Sequence, residues 1–362
     1  SLLGEESFLR IDRRSGVYSH GVFTEYPFQV NTHGLPKSVI RECVMGFAKT
    51  LGAREPLPED PTFREWAFAT FGPGIARHFM IPYNEKLFRS DLDTVSADWV
   101  AWSIPKPTWE DVIQGALGTN RKAFGYNPQF LYPREGGIDR LPRALLGRVR
   151  APELSVGLSS VDARRREARL SNGERVRYER LISTMPLPAL LARIEDAPRE
   201  VQEATGRLRY VSVLNLNLGF DAPCPLPYQW VYFAEPRFPF YRAGIYSNLC
   251  PQSVPEGHSA FYVEVSHRPD ERPDGDKLAR ICAERLREVG LVPRSAALDH
   301  VRVIDIPVAY VVHDPARREL LPQLQTYLAA HGIRSVGRYG AWEYSAMEDA
   351  LWHGRTAAAE LE

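Results

Sequence analysis

Two arginines stand among aromatic residues in a way that suits an anionic ligand. The run Trp230-Val231-Tyr232-Phe233, followed by Phe240-Tyr241-Arg242-Ala243-Gly244-Ile245-Tyr246-Ser247-Asn248, puts Arg242 at the edge of a strand between rings. A half-buried guanidinium must meet an anion or carbonyls, because an unpaired buried charge is costly. Its planar fork matches a phosphate, and an internal salt bridge with a glutamate satisfies it equally well. Arg338 poses the same question in the C-terminal stretch 333–362. That stretch opens as a short strand (Ile333, Val336), crosses Gly337 and Gly340, places Tyr339, Trp342 and Tyr344, and enters a helix with Glu348 and Asp349 in its first turn. A strand that turns directly into a helix offers unpaired N–H groups and a positive dipole end. The two glycines would let a flat ligand approach the backbone. An ordinary βα unit has the same pattern. Tyr310 and Tyr344 could hydrogen-bond a polar ligand or serve the core.

The elements that must position these residues follow from periodicity. Residues 1–35 read as irregular structure with a strand pair near Val17–Ser19 and Val22–Phe28. The segment Glu25-Tyr26-Pro27-Phe28-Gln29-Val30-Asn31 crowds rings and amides around one proline, as a pocket-lining loop or a packed turn would. Val39, Ile40, Cys43, Val44, Phe47 and Leu51 fall at helical spacing. Asp60-Pro61 reads as a cap before a helix through Phe63, Trp66 and Phe71, which Gly72-Pro73-Gly74 is expected to break. Thr108 with Asp111 resembles a capping box. Gly136-Gly137 precedes a short helix and forms either a backbone nest for an anion or a plain turn. Residues 154–184 alternate as strands (Leu154–Leu158, Glu167–Leu170, Arg175–Thr184), and Pro198–Leu208 is helical. Tyr210–Phe220, Trp230–Phe233, Ala243–Asn248, Ala260–Val265 and Val301–Ile306 predict an antiparallel sheet carrying the helix Lys277–Val289. A last helix, Ala316–Ala330, precedes the C-terminal stretch.

Composition narrows the function classes. The 362 residues hold 45 Lys+Arg and 45 Asp+Glu, which argues against a generally basic nucleic-acid surface. Cys43, Cys224, Cys250 and Cys282 are widely spaced, so no CxxC or Cys/His cluster suggests a metal. They read as small buried hydrophobes in a reducing, cytoplasmic compartment. No apolar run approaches the roughly 20 residues that span a bilayer. No Ser–His–Asp order, HExxH or Walker loop is present. Gly72-Pro73-Gly74-Ile75-Ala76-Arg77 lacks the third glycine of GxGxxG and does not follow a strand.

Seven motifs in one order carry a family resemblance: YPFQVN (26–31), GPGIARHFMIPYNEKLF (72–88), GYNPQFLYPREGGI (125–138), LISTMP (181–186), WVYF (230–233), FPFYRAGIYSN (238–248) and GRYGAWEY (337–344). Together they resemble the UDP-galactopyranose mutase family of the flavin amine-oxidase-like superfamily, over nearly the whole chain. The resemblance implies a mixed α/β (α+β) fold: a helical module at 36–120, an incomplete Rossmann-like FAD-binding domain at 121–200 and 331–362, and an antiparallel-sheet substrate domain at 1–35 and 201–330. It implies FAD as cofactor and a nucleotide sugar as the small-molecule partner. In the mutases, reduced flavin attacks the sugar's anomeric carbon and displaces UDP, and the sugar recloses as the furanose without net redox. Carried over by position, Arg242 would hold the diphosphate with Tyr232, Tyr310 and Tyr344. Asn127 and Asn84 would line the sugar–flavin pocket, and Gln29 the pyrimidine or diphosphate side. Gly337, Arg338, Tyr344 and Met347 would meet the flavin, Leu158 the adenine through its backbone, and Gly136 and Gly137 would add a nest.

Two departures qualify this. The family's N-terminal strand–GxGxxG–helix has no counterpart from Ser1 onward. The chain is therefore expected to be a fragment or a degenerate member that holds FAD weakly and is inactive by itself. The mutases also carry a second diphosphate-binding arginine shortly after a tryptophan, whereas Trp99-Val100-Ala101-Trp102-Ser103 has none. An amine-oxidase-like oxidoreductase and a non-catalytic fragment without cofactor are the alternative readings.

Overall fold

A computed structural model describes residues 2–52, 57–100, 104–120, 122, 124 and 128–360. Fourteen strands are described: β1 Phe8–Asp12, β2 Ser15–Ser19, β3 Val22–Glu25, β4 Gln129–Pro133, β5 Leu158–Asp162, β6 Glu167–Leu170, β7 Arg175–Arg177, β8 Leu181–Ser183, β9 Tyr210–Phe220, β10 Trp230–Phe233, β11 Arg242–Ile245, β12 Ser259–His267, β13 Leu298–Val311 and β14 Ile333–Ser335. The fold is mixed α/β. Two compact units emerge, Ser1–Arg150 with Ser212–Pro307, and Ala151–Val211 with Val308–Glu362.

The first unit is built on a seven-stranded sheet in the order β13-β9-β12-β11-β10-β2-β3. β9, β12, β11 and β10 pair antiparallel in turn, as expected, and so do β2 and β3; β2, from the 1–35 segment, joins β10 in parallel, so the sheet as a whole is mixed. Alternation along the strands separates two faces. One face carries Leu214, Leu216, Leu218, Val231, Phe233, Ala243, Ile245, Phe261 and Val263, all buried. Against it lie Ala279, Cys282, Ala283 and Leu286 of the helix Gly275–Glu288. The strand β11 stops at Ile245, and Tyr246–Leu249 forms a helical turn where the alternation had suggested more strand.

The helical segment of this unit departs from local expectation in an informative way. Its second helix, Phe63–Ile75, is capped by Thr62, whose hydroxyl accepts from the Glu65 N–H while the Glu65 carboxylate accepts from the Thr62 N–H. The start therefore falls two residues beyond Asp60. Gly72-Pro73-Gly74 kinks the helix without ending it; Gly72 has φ +74. The glycines are there for packing. A Cβ on Gly72 would lie 2.2 Å from the Gly46 carbonyl oxygen, and one on Gly74 2.2 Å from that of Glu42. Glycine thus lets this helix touch the backbone of the helix Lys37–Leu51. A π-helical turn, Ala76–Met80, then leads into Ile81–Phe88. The Thr108–Asp111 capping box forms as expected.

The second unit holds the meander β5-β6-β7 and the parallel pair β14-β8. The first strand begins at Leu158, and Leu154 is 80% exposed, so the reading of 154–158 as a strand is displaced. Arg175–Thr184 is two strands in different sheets, not one. The helix Pro315–Ala330 supplies Leu320, Leu324 and Leu328 to a core that also buries Val161, Leu190, Ile333 and Trp342.

Candidate functional site

The second face of the large sheet is polar and aromatic. Register aligns Tyr232 with Arg242, Arg242 with Glu264, and Glu264 with Asn215, so these four project from adjacent strands on one side. One step along, Trp230, Gly244, Tyr262 and Asn217 make a second row. A Cβ on Gly244 would meet the Tyr262 ring at 2.0 Å, so the missing side chain lets that ring lie across β11. There its hydroxyl accepts from the Trp230 indole N–H.

Arg242 donates from Nε to Glu264 Oε2 at 2.5 Å and from Nη2 to Oε1 at 2.9 Å. The side chains are 25% and 11% exposed. The glutamate that sequence could not name is the residue directly across the strand. The guanidinium also approaches the rings of Tyr241 (5.9 Å) and Tyr262 (6.0 Å). Burial, with Glu264 adding to it and Arg242 opposing it, holds the Tyr262 phenol well above its ordinary pKa. Tyr262 is thus a neutral hydroxyl at any physiological pH.

Residues not anticipated complete this face. Arg13, between β1 and β2, donates from Nη2 to the Tyr232 hydroxyl (3.1 Å) and from Nε to Ser15 Oγ (3.1 Å). Its guanidinium lies over Tyr26 at 5.2 Å and Trp230 at 5.5 Å. The Tyr26 and Tyr232 rings are 5.0 Å apart, and Tyr83 meets Tyr232 edge-on at 5.8 Å. Glu264 had a sequence signal, being the one charge in the otherwise apolar, aromatic and hydroxyl-bearing run 259–266. Arg13, beside Arg14 in a charged stretch, had none.

Lys86 ties the helix Ile81–Phe88 to the hairpin joining β10 and β11. Its Nζ donates to the carbonyls of Phe233 (2.8 Å), Glu235 (2.7 Å) and Phe240 (3.2 Å). Burial lowers its pKa to about 7, with Glu235 opposing.

Other anticipated residues of this unit lie as follows. Gln29 is buried and donates to the Pro105 carbonyl at 2.9 Å. Asn84 is buried and donates to the Met80 carbonyl at 2.7 Å. Gly136 and Gly137 both have left-handed backbone, φ +74 and +64; a Cβ would meet only Arg140 Cβ at 4.0 Å and the Tyr132 hydroxyl at 3.9 Å, respectively. Asn127 lies outside the described residues, as do Trp102 and Ser103.

The second unit gathers a separate set. Arg338 lies over Tyr344 at 4.8 Å and Tyr310 at 5.4 Å, and those two rings stack at 5.8 Å. Its guanidinium donates to the carbonyls of Ser345 (2.7 Å) and Ala309 (3.1 Å). Its charge therefore organises this turn through carbonyls. Gly337 has φ +77, and a Cβ there would meet nothing closer than Thr184 Cγ2 at 4.0 Å. Among the described residues, the hydroxyl of Ser345 and the indole N–H of Trp342 are buried without a partner. An open glycine turn with unspent polar hydrogens beside it fits a flat, polar ring system. Met347 opens the last helix and is 55% exposed. The Asp349 carboxylate accepts from the Ala346 N–H at 2.7 Å, so an acidic cap already occupies the helix start. The Leu158 carbonyl accepts from Arg193 Nε at 2.8 Å.

Residues 44–361 match the family described as flavin containing amine oxidoreductase. The chain belongs to that family. FAD is its cofactor. Among solved structures, reduced UDP-galactopyranose mutase is similar at TM-score 0.88 and 27% identity, over 93% of this chain and 74% of that one. A putative protoporphyrinogen oxidase from Exiguobacterium sp. 255-15 is similar at TM-score 0.72 and 15% identity, over 98% and 82%. A putrescine oxidase triple mutant follows at 0.64 and 15%, over 99% and 84%. The last two establish the fold alone. Among the described residues no helix is long and apolar enough to cross a membrane, and no group of His, Cys, Asp or Glu could hold a metal ion.

Proposed function

We propose that this flavoprotein acts on a nucleotide diphosphate sugar, in the manner of a UDP-galactopyranose mutase. The observation that carries the reading is the row Tyr232–Arg242–Glu264, with Arg13 bonded to the same tyrosine. A cationic row walled by rings suits a ligand with phosphates at one end and a planar base at the other. The polar sheet face would bind and orient that ligand. Arg242 would contribute charge to the phosphates, and the Tyr262 and Tyr232 hydroxyls would contribute hydrogen bonds. In the second unit, Gly337, Arg338, Tyr344, Ser345 and Met347 would hold FAD, with Leu158 meeting it through its backbone. When bound and reduced, FAD supplies the electron pair that reacts with the sugar's anomeric carbon.

The test is product analysis. The protein is loaded with FAD, reduced with dithionite and given UDP-galactopyranose, and the nucleotide sugars are separated by chromatography. Appearance of the furanose isomer only with reduced flavin is the expected result. Oxygen consumption with an amine substrate, together with no binding of UDP, would overturn it.

A further inference from the structure

The ion pair of the polar face leaves little net charge to receive a phosphate. Arg242 and Glu264 are joined by two hydrogen bonds and sum to zero. A diphosphate placed there meets a guanidinium already shared with a carboxylate. A second cation is required, and the described chain supplies one from another element. Arg13 is fixed by hydrogen bonds to Tyr232 and Ser15 and by the faces of Tyr26 and Trp230. Tyr232 is the cross-strand neighbour of Arg242, so both guanidinium groups adjoin one phenol on one face. Because Arg13 donates to the Tyr232 oxygen, that oxygen is occupied as an acceptor. The phenol's own proton is then directed away from Arg13.

We infer that Arg13 is a second anion-binding residue of this face, and that it also sets Tyr232 as a hydrogen-bond donor to the phosphates. This rests on the nucleotide-sugar reading. Anion binding requires charge at position 13, which separates the inference from a purely structural role: the aromatic stacking would support the fold without any ligand.

The experiment is calorimetric titration of the full chain with UDP, and with uridine as the uncharged control, for wild type, Arg13→Gln and Arg13→Lys. Arg13→Gln keeps an amide donor near Tyr232 but removes the charge. It is expected to weaken UDP about tenfold or more, the loss that accompanies one charge-assisted hydrogen bond, and to leave uridine within about twofold. Raising NaCl from about 0.02 to about 0.3 M should weaken UDP for wild type more than for Arg13→Gln, because screening acts on the missing charge. Arg13→Lys should recover most of the UDP affinity, and it serves as the deciding variant if Arg13→Gln does not fold. Equal loss of UDP and uridine, no loss of UDP, or a lysine variant that binds UDP as poorly as glutamine would each overturn the inference and leave the nucleotide-sugar reading in place. Wild-type protein that binds no UDP would instead overturn that reading, and this inference with it.

Discussion

Replacing Glu264 by glutamine should make the protein less stable and a better ligand for phosphate at the same time. The carboxylate takes Nε and Nη2 of Arg242, and the pair is mostly buried, at 25% and 11% exposure. Removing one partner of a buried pair costs about 3–5 kcal/mol. Glutamine keeps one acceptor and Arg242 keeps some contact with water, so a loss of about 2 kcal/mol is expected. The phosphate gains by the same change. A carboxylate about 5 Å from a phosphate charge, at an effective dielectric constant of about 20, repels it by about 3 kcal/mol. Screening and the new amide dipole reduce this, leaving UDP binding about tenfold tighter. Urea unfolding and calorimetric titration of UDP measure the two quantities on one preparation. Adding Arg242→Gln in the same protein should return most of the lost stability, because two amides can pair without charge, while abolishing the gain in affinity. If UDP binds ten times more weakly to Glu264→Gln, the carboxylate positions Arg242 instead of competing for it, and the charge-competition argument is wrong.

Further predictions concern the frame around the site. Lys86, with its pKa lowered to about 7 by burial, binds its proton less readily in the folded state than unfolded. Folding stability should therefore rise with pH between about 7 and 10, where the unfolded chain still holds that proton. Lys86→Met should flatten the rise in urea midpoints measured across that window. A wild-type profile that falls instead would show that the three carbonyls hold the charged ammonium more strongly than burial expels it. Gly74→Ala places a carbon 2.2 Å from the Glu42 carbonyl oxygen, backbone against backbone. It should cost about 3 kcal/mol or more, at the upper end of overpacking effects; an unchanged midpoint would mean that the two helices separate freely.

Much of the frame was legible because its signals are local. The strands Tyr210–Phe220 and Trp230–Phe233 begin and end where alternation placed them. The Thr108 box rests on two side chains three residues apart. What escaped depends on partners distant in sequence. Gly72-Pro73-Gly74 reads as a helix breaker in isolation, yet the chain passes through it because Gly46 and Glu42 approach closely enough to demand glycine. Arg242 was visible as a cation needing a partner. Whether that partner is a ligand or a glutamate turns on the β11–β12 register, which sets Glu264 opposite it. Arg13 was invisible, because its identity as a stacked cation comes from Tyr26, Trp230 and Tyr232 on two other segments.

The two faces of the large sheet obey different energetics, and the difference bears on function. The apolar face, with Leu216, Val231, Phe233 and Phe261 fully buried against the helix Gly275–Glu288, needs no charge to be stable. The polar face gains little net stability from Arg242–Glu264, since desolvation offsets most of the attraction in a buried pair. Stacking of Arg13 on two rings contributes about 1 kcal/mol each at most in partly exposed positions. Hydrophobic residues of similar volume would stabilise this face at least as well. What they could not provide is a row in which one guanidinium is neutralised in advance and a second is held nearby by rings. Such a row sets two guanidinium groups where a ligand with two adjacent phosphates would meet both and one with a single phosphate only one. A discrimination of that kind predicts that UDP binds far more tightly than UMP, and comparable affinities for the two would remove the reason for placing two arginines around Tyr232.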